Sequence, residues 1–163
     1  MFSIRLEGDT RRLLNSLKSY SALDKKKINE ALGEAMRTST LMRFKIGKSP
    51  SGKRWATSIR AQQEGGKTLI KSSVLRNSIQ AKSDASGFAI GTNVAYAATH
   101  QNGDKGRTIM ASRAKALKFK IGDRWVSKKR VKITIPARPF LGLSDDDMRE
   151  IKATVEDIIG KEV

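Results

Sequence analysis

The 163-residue sequence predicts an α+β domain, and three features carry that prediction. Residues 24–46 repeat apolar side chains at helical spacing, the middle of the chain alternates apolar and polar residues around turn-forming segments, and a capped amphipathic run closes it. The length suits one domain, since two would each sit near the lower limit for a self-sufficient core. The expectation is a single unit over residues 1–163: a long amphipathic helix, antiparallel hairpin strands, a C-terminal helix, and a basic insertion or arm at about residues 104–131.

Taken in order, Phe2, Ile4 and Leu6 alternate with polar neighbours as in a half-buried strand, and Asp9 or Thr10 caps a short helix bearing Leu13, Leu14 and Leu17. The long helix starts near Asp24 and runs to about Ile46. Its stripe of Ile28, Ala31, Leu32, Ala35, Met36, Ser39 and Met42 is either core or subunit interface. Pro50 and Gly52 build a loop anchored by a buried Trp55. Gly65-Gly66-Lys67-Thr68 looks like the end of a phosphate loop, but Ala61 stands where that motif needs glycine and no apolar strand precedes it, so the reading is excluded.

A short helical piece at residues 72–75 leads into a strand at 78–82, residues 83–87 turn, and Phe88, Ile90 and Gly91 return as a hairpin. Residues 95–101 form a short alanine-rich helix that places Tyr96 and His100 one turn apart and ends at Asn102-Gly103. A second hairpin is expected to pair Leu117, Phe119 and Ile121 with Val131, Ile133 and Ile135. Ser144 and Asp147 then form a capping box for a helix carrying Ile151, Val155, Ile158 and Ile159.

The formal charge of +17 is unevenly spread. Between Lys105 and Lys132 there are eleven Lys or Arg against one acid, Asp123, a net +10, whereas residues 144–163 hold seven acids and three bases, a net −4. Such polarity suits head-to-tail contacts between copies or a basic surface turned toward nucleic acid; the plainer reading is a solvated basic face. The residues available for contact with DNA or an acidic partner are Lys118, Lys120, Arg124, Lys128, Lys129, Arg130 and Lys132. Only Phe119 and Trp125 interleave them and no recognition-helix pattern is present, so any DNA contact would be to phosphates and independent of sequence.

Cysteine is absent, which excludes disulfides, thiolate metal sites and cysteine nucleophiles. The start lacks a signal-peptide pattern and no apolar run approaches the roughly 18 residues needed to span a bilayer. A soluble, non-secreted chain without membrane contact is expected. The single histidine, His100, has no nearby acid except Asp104 and no companion ligands at metal-binding spacing. It is read as structural, packed with Tyr96 under a hairpin and hydrogen-bonded to a loop; no catalytic residue, metal or cofactor is assigned.

Four motifs stand in order: PSGKRW with Pro50, Gly52 and Trp55; SSVLRNSI with Leu75 and Arg76; GTNVAYAATHQNG with Gly91, Asn93, Tyr96, His100, Gln101 and Gly103; and IPARPFLGLSDDD with Pro136, Arg138, Pro139, Phe140 and Leu141. Together they resemble the virion morphogenesis or tail completion family of tailed phages, the Mu-like G protein group, over roughly residues 2–160. The sequence departs from that pattern at Ser73, where the family has glycine before the Leu-Arg pair, and in the longer, more basic stretch between Gly103 and Ile135.

The resemblance implies a non-enzymatic subunit for tail completion or head-tail joining at the neck. It further implies a homo-oligomeric ring, sixfold like the tails of these phages, beside neck or tail proteins such as the tail terminator. DNA would pass through the lumen, and the protein would reside in the virion after assembly in the host cytoplasm. In that setting residues 135–144 are a stiff, proline-fixed hook that either seals the domain's own core or docks on a neighbouring subunit. The rival reading is a freestanding nonspecific nucleic-acid-binding protein; a small hydrolase built around His100 is a third.

Overall fold

A computed structural model describes residues 23–121 and 124–162, so the strand expected at residues 2–6 and the short helix with Leu13, Leu14 and Leu17 lie outside the described residues. The 22-residue helix α1 (Lys25–Ile46) forms where the sequence places it, with Asp24 as N-cap accepting from the Lys27 N–H at 3.2 Å. It ends at Gly47, which is left-handed at φ 71° and donates its N–H to the Arg43 carbonyl at 2.7 Å. The buried face differs from the predicted stripe. Leu32, Met36, Thr40, Arg43 and Phe44 point inward, whereas Met42 and Ile46 are nearly half exposed.

Two short helices follow, α2 (Ile59–Gln63), capped by Ser58, and α3 (Val74–Asn77). They lead to the hairpin of β1 (Gln80–Ser83) and β2 (Phe88–Gly91), in register from Gln80↔Gly91 to Ser83↔Phe88. Its turn is closed by the Asp84 carboxylate, which accepts from the Ser86 and Gly87 N–H groups. This hairpin packs across α1 at Gly33, where a Cβ would stand only 3.4 Å from the Phe88 Cβ and 3.5 Å from the Ala81 Cβ. Arg37 and Asn29 of α1 fasten the hairpin further, donating to the Ile79 and Asp84 carbonyls.

After α4 (Ala97–Asn102) the chain makes an arm. Here the expected second hairpin is corrected. The strand β4 (Leu117–Ile121) pairs with β5 (Arg124–Lys128), while β3 (Asp104–Met110) pairs with β6 (Arg130–Ile135). Leu117, Phe119 and Ile121 therefore face the 124–128 strand, and Val131 and Ile133 face Ile109 and Arg107. Nesting wins because Ile121 and Arg124 are near neighbours in sequence, so the inner ladder forms at the least entropic cost, and only then are residues 104–110 and 130–135 brought opposite each other. Each ladder among the described residues is two-stranded. The closing helix α5 (Asp145–Glu162) starts at the expected capping box, with the Ser144 N–H on Asp147 Oδ2 at 2.7 Å and the Asp147 N–H on Ser144 Oγ at 3.2 Å.

The core is compact and aromatic: Phe44, Trp55, Leu75, Ile79, Ala97 and Phe140. Phe44 meets Trp55 edge-on at 5.6 Å between ring centroids and Phe140 at 5.2 Å. Each of the four motifs thus places at least one residue in a single cluster with Phe44 of the long helix, the second motif placing two, Leu75 and Ile79.

Candidate assembly surfaces

The hook after β6 closes that core. Its backbone is extended, so its polar groups need partners from other elements. Gln101 supplies three of them: its Oε1 accepts from the Phe140 and Leu141 N–H groups at 2.9 and 3.0 Å, and its Nε2 donates to the Leu141 carbonyl at 2.9 Å. The Trp55 indole N–H donates to the Pro139 carbonyl at 2.8 Å, and the Arg138 N–H to the His100 carbonyl at 2.7 Å. Gly103 allows the close approach at φ 77°, because a Cβ there would fall 2.8 Å from the Ala137 nitrogen and 2.9 Å from the Ile135 oxygen.

Phe140 is fully buried and Arg138 is 5% exposed, both within the chain's own body. Of the five hook residues set out as an interface, these two are therefore sealed inside, Pro139 and Leu141 are half-buried, and Pro136 alone is exposed.

Two buried arginines contrast. Arg43 donates to the Phe140 and Gly142 carbonyls at 3.1 and 2.6 Å and pairs with Asp147, whose other oxygen accepts from the Ser39 hydroxyl. Burial alone would raise the Asp147 pKa; the Ser39 and Ser144 hydrogen bonds and the Arg43 charge outweigh it and hold it below the ordinary 3.8. Sequence reading missed this pair. Its trace was legible: a cation seven residues beyond Met36 on the inward stripe, and an acid at the third position of a capping box. Arg138, by contrast, donates its Nε–H to the Ala56 carbonyl at 2.7 Å, and no carboxylate among the described residues forms an ion pair with it.

Arg138 and His100 line one cleft of about 320 Å³ together with Ser58, Arg60, Lys71 and Tyr96. The His100 ring meets Tyr96 edge-on at 5.8 Å, but Tyr96 is about half exposed rather than packed under a hairpin. The expected side-chain hydrogen bond to a loop is not found among the described residues: Nδ1 is buried with no partner among them, and it is the backbone carbonyl of His100 that holds the hook. Burial, then the Arg138 charge, keep the imidazole pKa below the ordinary 6.5. A general base needs an orienting acceptor; the cleft is lined by the cations Arg60, Lys71 and Arg138 and by the hydroxyls of Ser58, Ser72 and Ser73, with no carboxylate among the described residues lining it. No group of His, Asp or Glu side chains among the described residues is spaced to hold a metal ion.

The remaining motif residues serve the core's rim. Leu75 is buried, Arg76 is held to the Asn77 side-chain oxygen, Gly91 ends β2, Asn93 is exposed, and Pro50 packs against Gly142. Ser73 takes the left-handed conformation, φ 60° and ψ 3°, where the resembled pattern has glycine.

The second surface is the arm. Lys118, Lys120, Arg124, Lys128, Lys129, Arg130 and Lys132 are all exposed along it, with Met110, Ile121 and Trp125 as exposed apolar residues. Among the described residues its strands pack against each other and not broadly against α1, β1, β2 or α5.

The described residues thus form an α+β body closed by an internal hook and carrying an exposed, charged β-arm. The chain belongs to the phage virion morphogenesis family, whose model matches residues 8–160, and its role is in phage virion assembly. No curated protein and no solved structure matches it. No helix among the described residues is long and apolar enough to cross a membrane.

Proposed function

We propose that the chain is a tail-completion or head-tail joining subunit that acts without catalysis, closing into a homo-oligomeric ring at the neck of a tailed phage. The observation that carries this reading is the division of labour within the chain. The hook, the core and the Arg43–Asp147 pair are satisfied internally, whereas the arm, with its net +10 between Lys105 and Lys132, extends without broad packing on its own body. An arm of this kind gains its free energy from something outside the protomer. Sixfold symmetry and contact with a tail terminator are carried from the family resemblance. The protein would work in the host cytoplasm during assembly and remain in the virion.

Gel filtration with light scattering tests the ring, on the protein alone and after addition of tail tubes; a strict monomer in both settings refutes it. Electron images of virions made without the protein then separate tails that fail to form from tails that fail to join heads.

The second reading, a freestanding nucleic-acid-binding protein, draws on the same arm. Its retention on DNA would be sequence-independent and fall with salt at a slope of about −0.9 per phosphate contact on logarithmic axes. A salt titration that follows both DNA retention and oligomer size separates it from the ring.

A further inference from the structure

The tip of the arm has two unlike faces. The register Lys120↔Trp125, Lys118↔Ser127 puts Trp125 on one face with Lys118 and Lys120, while Phe119, Ile121 and Val126 share the other. Trp125 is 75% exposed, the most exposed large apolar side chain among the described residues. A tryptophan beside Lys118 on a twisted β-ladder has the composition of an interface anchor, an aromatic that fits a pocket and a cation that suits an acidic rim.

The same chain offers that counterpart elsewhere. Between α1 and the start of α5 lies an open groove of about 590 Å³, floored by Met42, Ile46 and Pro50 and edged by Asp146 and Glu150, with Lys48 at one lip. Met42 and Ile46 are 48% and 47% exposed, apolar side chains on a helix whose opposite face already fills the core. The acids belong to the only net-negative stretch identified in the sequence, residues 144–163.

Resting on the ring reading above, we propose that the arm tip of one copy docks Trp125 into the α1/α5 groove of the next, with Lys118 on the Asp146 and Glu150 rim. The contact is heterologous, since arm and groove are different surfaces, and repeating it closes a ring. Charge complementarity selects a second copy over DNA here. Duplex DNA satisfies lysines but offers no apolar pocket for an indole, whereas the groove satisfies both.

The absence of cysteine makes the test clean. The full chain carrying Trp125→Cys and Met42→Cys is oxidised at the concentration where the wild type is oligomeric and run on a denaturing gel, beside Trp125→Cys paired with Val74→Cys. Val74 is 52% exposed and lines the His100 cleft instead of the groove. The expected result is a ladder at multiples of 18.0 kDa for the groove pair, ending at the ring's copy number, and at most dimers for the control. Trp125→Ala, on an exposed residue whose loss leaves the core untouched, should weaken association about tenfold or more. Asp146→Lys with Glu150→Lys should also weaken it, and Lys118→Glu should restore part of the loss.

A wild type that is oligomeric while the groove pair cross-links no better than the control overturns this contact and leaves the ring reading standing. A cross-link confined to the monomer, with the arm folded onto its own groove, overturns it as well. A wild type that never associates, alone or with tail tubes, removes both.

Discussion

Phe140→Ala is the perturbation that weighs most on the description of the hook. The ring is fully buried, lies 5.2 Å from Phe44 and sits on a backbone fixed by Gln101, Trp55 and Arg43, so the surroundings have little freedom to collapse into the space it leaves. Truncating a buried phenylalanine costs about 3–5 kcal/mol, and this site belongs at the upper end because an aromatic pair worth about 0.5–1.5 kcal/mol is lost with it. Against the 5–15 kcal/mol that typically holds a domain together, that is a large share. Urea unfolding followed by circular dichroism gives the number from the shift in midpoint at constant slope. Phe140→Leu fills most of the cavity and should recover much of the loss. Phe140→Ala should also reduce infectious yield more than His100→Ala does. A loss below about 1.5 kcal/mol with unchanged slope, or unchanged folding and yield, would show that the hook is not what seals this core.

Three further outcomes are expected. Arg43→Met strands Asp147 as an unpaired buried charge and should cost about 3–5 kcal/mol, whereas Arg138→Met removes a buried charge that pairs with no carboxylate among the described residues and should cost clearly less in the same assay; equal losses would contradict the two environments. Ser73→Gly relieves a left-handed serine that forms no side-chain cap and should raise stability by about 0.5–1 kcal/mol, read as a higher thermal midpoint. Because the folded chain holds the His100 pKa below 6.5, the unfolded chain binds a proton that the folded one refuses; stability from this group is full above that pH and declines as pH falls through the folded pKa, with Asp147 adding a second loss below 3.8. In denaturant titrations His100→Gln should flatten the first decline and leave the second.

Much of this molecule is local and therefore legible in one dimension. The 3.6-residue period and Asp24 cap determine α1, the alternation about residues 83–87 determines the β1–β2 hairpin, and Ser144 with Asp147 determines the start of α5, because each depends on neighbours within a few residues. The four motifs likewise marked the family and the residues that build its core. What tertiary structure decided is pairing at long range. Strands β4 and β6 carry equally good alternation, and only the nested closure reveals that they do not face each other. Strand β3 escaped notice because Gly106 and a bulge between Asp104 and Arg107 break its alternation. The hook, with both fates open in the sequence, became core because Gln101, 39 residues upstream of Phe140, meets its backbone. Arg43 and Asp147, 104 residues apart, form a buried pair whose cost and gain exist only once both leave water together, and no sequence period encodes that coincidence.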